Sequence, residues 1–418
     1  MRSGAPRRVV VVGGARTPFA KAGTALKDVS ALDLSVHAVT GLLAKTGIDP
    51  GSVEELAFGI TLVDPRIPHL AREVVFSSDL PSSVRALTVT DNCITGTSGI
   101  TAIWDSIALG RAESGIAGGV ESMSNPPILF GRRGSRIFLE AGSARGTAAR
   151  LRALARLRPL DFKPRLPGVN EPSTGLSMGE HTELMVKEWK ISRETQDRIA
   201  FRSHERAQRA TEDGRLPAEI HPLNGIDRDL LVRKDTSMEK LSALPPVFDR
   251  GGSGTITAGN SSPLTDGAAA VLLMSEDRAR RENLEPLAFL RAVEVSAIDP
   301  RDGLLMGPGV AVPRLLRRTG LALGDMGVIE VHEAFGGQVA CNLKAWEEGW
   351  KEPAIGRVDT DRLNPLGSSI AVGHPFSATG ARIVTTLVHE LKRRDARYGL
   401  VSICAAGAQA AAMILERQ

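Results

Sequence analysis

The chain has 418 residues, 42% hydrophobic and 24% charged, with a net charge of +4. That length carries two or three folding units and a large core, and the composition excludes a disordered or fibrous chain. Three cysteines in so long a chain exclude a disulfide framework, while 4% aromatic residues leave a core packed with Ala, Val, Leu and Ile.

In chain order, Arg7-Arg8 precede the apolar run Val9 to Val12, which reads as an opening strand. The run is too short for the core of a signal peptide, and no stretch approaches the ~20 apolar residues that span a bilayer, so a cytoplasmic enzyme is expected. Asp91-Asn92-Cys93-Ile94-Thr95-Gly96-Thr97-Ser98-Gly99 predicts a helix start carrying Cys93, followed by a buried strand over Gly115 to Val120. The free N–H groups and dipole of such a start favour thiolate, lowering a pKa that begins at about 8.5. The alternative for Cys93 is a buried, inert thiol.

From Glu121 to about Pro246 the texture changes. Gly131 to Arg165 is dense in arginine and holds only Glu140 and Asp161 as acids. Leu151, Leu154 and Leu157 recur there at helical spacing and predict a basic amphipathic helix. It would either pack on its leucines as a solvated insertion or face an anionic membrane, a nucleotide phosphate or an acidic subunit. Few aromatics interleave it, which argues against nucleic acid. Arg193 to Glu212 predicts a helix stopped by Gly214.

Later segments echo earlier ones. Leu287 to Val295 opens a second unit as Val9 to Val12 opens the first, and Asp266 to Leu273 resembles Ala408 to Leu415. Gly373-His374-Pro375 precedes another small-residue helix start, followed by the strand Leu400 to Cys404. Strands alternating with helices argue for α/β layers in two similar halves. The first half spans 1–120 with a return over 247–285, the second 286–418, and 121–246 lies between. Composition alone would also make Ala-rich strands look alike. Aligning Cys93 to Gly99 with His374 to Gly380 sets His374 opposite Cys93 across a pseudo-twofold axis, a natural nucleophile–base pair. Cys404 ends its strand as either a second acid–base thiol or a small core residue. His332-Glu333 follows the apolar run Val328 to Val331, and the absence of a second histidine at helical spacing argues against a metal.

These blocks, in this order, resemble the thiolase family: Cys93 in its small-residue helix, His332-Glu333-Ala334-Phe335, Gly373-His374-Pro375 and Cys404. Gly118 to Ser124, Ser177 to Glu180 and Thr257 to Gly267 extend the resemblance over nearly the whole chain. Most thiolases carry Asn where this chain has His332; the histidine form is similar to the thiolase subunit of fatty-acid-oxidation trifunctional complexes. The resemblance implies a duplicated five-layer α/β/α/β/α fold with an inserted loop domain, and 3-ketoacyl-CoA cleavage through an acyl-cysteine on Cys93. His374 would be the base and Cys404 the second acid–base. His374 with a water on His332 would form one oxyanion hole, and the N–H groups of Cys93 and Ala406 the other, each donor worth ~3–4 kcal/mol. Met178 and Ser262 would line the coenzyme A channel, covered by 121–246. Coenzyme A would be a substrate, with no cofactor and no metal. A homodimer or dimer of dimers and a hydratase/dehydrogenase partner are also implied. Ala408 and Ala410 stand where the family usually has glycine, and a methyl there would crowd the turn or demand negative φ. The competing readings are a biosynthetic acetoacetyl-CoA thiolase, a condensing ketoacyl synthase and an inactive CoA- or lipid-binding scaffold.

Overall fold

The computed structural model describes residues 6–165, 167–168 and 170–418. The first unit runs β1 (Val9–Arg16), β2 (Ala20–Lys21), α1 (Ala31–Thr46), β3 (Glu55–Ile60), α2 (Leu70–Ser77), β4 (Arg85–Val89), α3 (Thr95–Ala108) and β5 (Ser114–Glu121). An excursion follows with α4 (Arg132–Ser143), α5 (Thr147–Leu154), α6 (Met178–Glu188), α7 (Arg193–Glu212) and α8 (Met238–Ser242), before the chain returns as β6 (Thr265–Ser275). Then come α9 (Glu276–Arg281), β7 (Ala288–Ala297), α10 (Pro308–Thr319), β8 (Met326–Val331) and α11 (Gly336–Glu348). The chain closes with α12 (Ser369–Val372), α13 (Thr379–Arg394), β9 (Tyr398–Ala405) and β10 (Gln409–Glu416).

Local signals place many of the ends. Ser30 caps α1 by accepting from the Asp33 N–H, and Gly47 closes it at φ 66°. Ser177 and Glu180 cap α6 reciprocally.

The main path of strands is β4-β3-β5-β6-β1-β7-β10-β9-β8. At its centre β1 and β7 share only the pairs Val10↔Phe289 and Val11↔Ala288. Outward from that seam, β1-β6-β5-β3 mirrors β7-β10-β9-β8. Even the parallel β3–β4 edge has a counterpart in the parallel bridge Ile329↔Leu363. The duplication expected from the sequence is therefore built into the sheet.

Alternation along the strands generates the layers. Val9 and Val11 face a central core with Ile100, Ile103 and Ile107 of α3 and Val384, Leu387 and Leu391 of α13, closed on the far side by Val401, Ile403 and Met413. Val10 faces the other way, toward Leu34, Val39 and Leu42 of α1 and Val74 of α2. In the second half Val312 and Leu315 of α10 and Val339 and Trp346 of α11 cover Ile329, Leu400 and Ile414. The result is helix, sheet, helix, sheet, helix, with α3 and α13 as the buried middle layer.

The repeat register expected from the sequence is corrected. A 3₁₀ turn, Asn92–Ile94, leads into α3, and an equivalent turn, Phe376–Ala378, leads into α13. Thr95-Gly96 thus corresponds to Thr379-Gly380, and the two glycines cross: a Cβ on Gly96 would lie 3.2 Å from Gly380 Cα. The counterpart of Cys93 is Ser377, and His374 enters from the loop ahead of that turn.

The basic segment also differs from expectation. It forms two helices, α4 and α5, broken over 144–146. Ile137 and Ala141 of α4 are buried, but α5 buries none of its residues and Leu151 is 66% exposed. Of the three leucines, Leu151 faces solvent while Leu154 and Leu157 are half-buried, so the stripe packs only in part. The excursion is tied to the core elsewhere: buried Arg16 of β1 donates to Glu219 (3.1 Å) and twice to Asp229 (2.7 and 2.8 Å). No helix among the described residues is long and apolar enough to cross a membrane.

Candidate active site

Cys93 is the centre of the 3₁₀ turn before α3. Asn92 takes φ 48°, a left-handed conformation that Asn tolerates, and its side-chain amide donates to the Ala406 carbonyl at 3.1 Å. His374 is delivered by Gly373 at φ 105°, where a side chain would meet Thr265 and Leu231. The His374 N–H donates to Thr265 Oγ1 at 3.0 Å, and its Nε2 lies 3.2 Å from Cys93 Sγ. His332 follows β8, its ring centroid 4.0 Å from that of His374. One ligand atom each of Cys93, His332 and His374 lie within 4.8 Å of one another. Glu333 turns away from this group, accepting from Ser203 (2.6 Å) and Asn364 (2.7 Å).

Burial sets the charges here. It pushes the Cys93 thiol up to about 12, with the N–H groups of Ala406 and Cys93 pulling the other way. The expected lowering by the helix start is therefore overturned, because loss of water outweighs a few aligned N–H groups. Burial, then the Arg382 charge, takes His374 down to about 3. Burial, then His374 and Arg382, takes His332 well below its usual value. Cys404 is raised well above its usual value by burial and by the neighbouring Cys93. The resting site is thus a neutral thiol beside neutral imidazoles. A thiol and an imidazole at this distance can exchange a proton directly.

Cys404 lies outside the 4.8 Å group, packed with Phe335, Ala408 and Met185. The turn after it, Ala406-Gly407-Ala408, is gripped from two sides: Asn92 on the Ala406 carbonyl and Glu171, which accepts the Gly407 N–H at 2.8 Å. Ala408 adopts φ 55°, so the methyl does not enforce negative φ as expected; the fold holds it left-handed, at a cost of about 1–2 kcal/mol. Ala410 is accommodated because its methyl faces Gly307, where a Cβ would come within 2.8 Å.

Beside His374 opens a cleft of about 800 Å³ whose wall includes Ser262, Leu231, Phe248 and Leu264, with Lys21 and Arg233 as basic groups. Leu264 bridges to His374. Of the two expected channel residues, Ser262 lines this cleft, whereas Met178 packs in the apolar cluster around Cys404.

Two family descriptions cover the chain: "Thiolase, N-terminal domain" matches residues 9–277 and "Thiolase, C-terminal domain" residues 284–417. The chain belongs to the thiolase family. Among similar proteins, the 3-ketoacyl-CoA thiolase of Serratia proteamaculans (strain 568) is 44% identical, over 98% of this chain and 97% of its own. That of Aeromonas salmonicida (strain A449) is 43% identical over the same shares. Among solved structures, a Bacillus anthracis acetyl-CoA acetyltransferase superposes with TM-score 0.87 at 31% identity, covering 99% of this chain and 100% of that one. Human mitochondrial 3-ketoacyl-CoA thiolase in complex with CoA gives 0.85 at 32%, covering 99% and 98%.

Several residues that shape this thiolase site were not singled out by sequence. Glu121, at the end of β5, is buried and accepts from Leu62 N (2.8 Å) and Ser377 Oγ (3.1 Å), its acid pushed up to about 7 by burial. Thr379 meets His374 Nδ1 at 2.7 Å, and Ser369 meets His332 Nδ1 at 2.8 Å. Arg382 stands behind Ser369 at 2.9 Å. The signal available for Thr379 and Arg382 was their helical spacing from the Gly373-His374-Pro375 block.

Proposed function

We propose that this thiolase cleaves 3-ketoacyl-CoA with coenzyme A, through an acyl group carried on Cys93. The observation that carries the reading is a neutral thiol 3.2 Å from an imidazole nitrogen, with the Ala406 N–H directed at the same sulfur. As Cys93 attacks the 3-keto carbon, its proton passes to His374 Nε2. The C2–C3 bond breaks, the acyl group stays on sulfur, and the departing acetyl-CoA enolate takes a proton from Cys404. Coenzyme A then gives its thiol proton to Cys404 and attacks the thioester. Cys93 leaves and recovers its proton from His374. The N–H groups of Cys93 and Ala406 hold the tetrahedral oxygen. His374, once protonated, and a water on His332 hold the enolate oxygen. Coenzyme A occupies the cleft at Ser262, where Lys21 and Arg233 suit its phosphates.

The same groups run the condensing direction, with Cys404 taking the proton from acetyl-CoA, and the likeness to an acetyl-CoA acetyltransferase favours testing it. The deciding experiment incubates the protein with short, medium and long 3-ketoacyl-CoA esters, and separately with acetyl-CoA, and maps acyl adducts by mass spectrometry. An adduct on Cys93 with turnover is expected. Turnover absent at every chain length, with no Cys93 adduct, overturns the enzyme reading in favour of a binding scaffold.

The reading extends to assembly as a homodimer or dimer of dimers, joined by a hydratase/dehydrogenase subunit, and to contact with an anionic lipid surface through 131–165. For the last, Leu139, Leu151 and Leu160 are exposed by 74%, 66% and 81% among arginines, while Asp161 and Glu140 are consumed by Arg133 and Arg156. Co-sedimentation with liposomes should rise with anionic lipid content and fall in salt. Equal partitioning with neutral liposomes counts against it.

A further inference from the structure

The two histidines differ in what stands behind them. Arg382 is fully buried, and a guanidinium only donates. Its Nη2 donates to Ser369 Oγ at 2.9 Å and to Ser368 Oγ at 3.2 Å. With that approach taken, the Ser369 hydroxyl has one partner left among the described residues, His332 Nδ1 at 2.8 Å. Nδ1 is the one described acceptor within reach of the serine proton, and the reverse arrangement would leave that buried proton unpaired; the assignment that satisfies it has Nδ1 accepting and the ring proton on Nε2. That Nε2 is buried and has no partner among the described residues, which leaves a free N–H on a ring grouped with Cys93 and His374. Behind His374 the wiring is reversed. Thr379 Oγ1 donates to the Pro375 carbonyl at 3.1 Å and therefore accepts from His374 Nδ1 at 2.7 Å. The ring proton sits on Nδ1, and a bare Nε2 lone pair faces Cys93 Sγ at 3.2 Å.

We infer that Arg382 and Ser369 form a positioning relay that holds His332 as a permanent N–H donor, while Thr379 holds the adjacent His374 in the opposite tautomer as a base. Two neutral imidazoles with centroids 4.0 Å apart would otherwise be chemically interchangeable. Were both bare at Nε2, no donor would anchor a water or an enolate oxygen. Were both protonated there, Cys93 would lose its base. The relay also bears on the proximity of Cys93, His332 and His374: a metal ion would need the His332 Nε2 lone pair, and the relay puts a proton in its place. The catalytic part of this inference rests on the thiolysis reading; the tautomer assignment does not.

The test uses the full-length protein labelled with ¹⁵N-histidine, reading long-range ¹H–¹⁵N spectra assigned with His332→Asn and His374→Gln. His332 should show a proton on Nε2 and His374 a proton on Nδ1. In Ser369→Ala the His332 signals should move to a mixed or inverted pattern, and kcat should fall ~10-fold with KM unchanged. Ser369→Thr, which keeps the hydroxyl, should restore both. In a His332→Asn background, Ser369→Ala should cost no further activity, because the relay acts only through the imidazole. A wild-type His332 protonated on Nδ1, or a Ser369→Ala protein with reduced kcat and an unchanged His332 pattern, overturns the relay. If Ser369→Ala does not fold, the wild-type tautomers still decide. The spectra require no turnover, so failure of the thiolysis reading would be seen separately.

Discussion

The two halves approach the site through the same short turn and put opposite behaviour on it. In the first half the turn Asn92–Ile94 centres on Cys93, whose sulfur meets the His374 imidazole at 3.2 Å and the N–H groups of Ala406 and Cys93. In the second the turn Phe376–Ala378 centres on Ser377, whose hydroxyl is occupied by Glu121 (3.1 Å) and Thr61 (2.9 Å). Duplication supplies two equivalent places at the seam. One place holds a thiol beside an imidazole, the other a hydroxyl held by a carboxylate and a threonine.

The largest effect should come from removing that difference. Cys93→Ala should lower kcat by at least about 10⁴-fold and abolish the acyl adduct. Moving the thiol to the equivalent place, Cys93→Ala with Ser377→Cys, should restore nothing. Recovery in a thiolysis assay would show that position alone makes the nucleophile. Next, His374→Ala should cost about 10²–10⁴-fold in kcat, as expected for loss of a general base. Equal activity across the pH range for that variant and the parent would contradict its role.

A third prediction concerns the second turn. Burial raises the folded Glu121 acid to about 7, above the ordinary glutamate value. The fold thus favours the protonated form; this contribution is full below the unfolded value and is lost as pH rises through about 7. Urea midpoints should fall across that window, and Glu121→Gln should flatten the fall. The smallest effect lies where the halves differ most in connection. The first half joins β5 to β6 through the long excursion; the second joins β9 to β10 through Ala406-Gly407-Ala408 alone. Ala408→Gly relieves the left-handed φ but frees the unfolded chain, so thermal stability should shift by less than about 1 kcal/mol with kcat unchanged.

Much of this was legible in advance, for identifiable reasons. The layers follow from period-two strands and small-residue helix starts, which are local signals. Cys93, His332 and His374 converge because each motif lies in a loop or turn at the end of an element, where the chain leaves the sheet or enters a middle-layer helix. The repeat register was misread because glycines at 96, 99, 373 and 380 permit more than one alignment, and only the Gly96–Gly380 crossing chooses between them. The helix dipole at Cys93 is visible in sequence, whereas the burial that outweighs it is not. Leu151 followed a helical period faithfully, yet a period cannot say whether its stripe faces a core or solvent. Ser369 and Arg382 lack a signature because a hydroxyl acquires a direction only from what stands behind it.

The crossing of α3 and α13 has one more consequence. Ser377 O lies 2.9 Å from where a Gly96 Cβ would sit, and Thr97 N lies 2.6 Å from that of Gly380. The helix after Cys93 and the helix after His374 are thus spaced largely by main chain against main chain. That contact acts like the fixed pivot of a pair of tweezers. Drift elsewhere in either half can be absorbed by repacking, but a single methyl at the pivot would spread the tips, so neither half is free to vary there without the other.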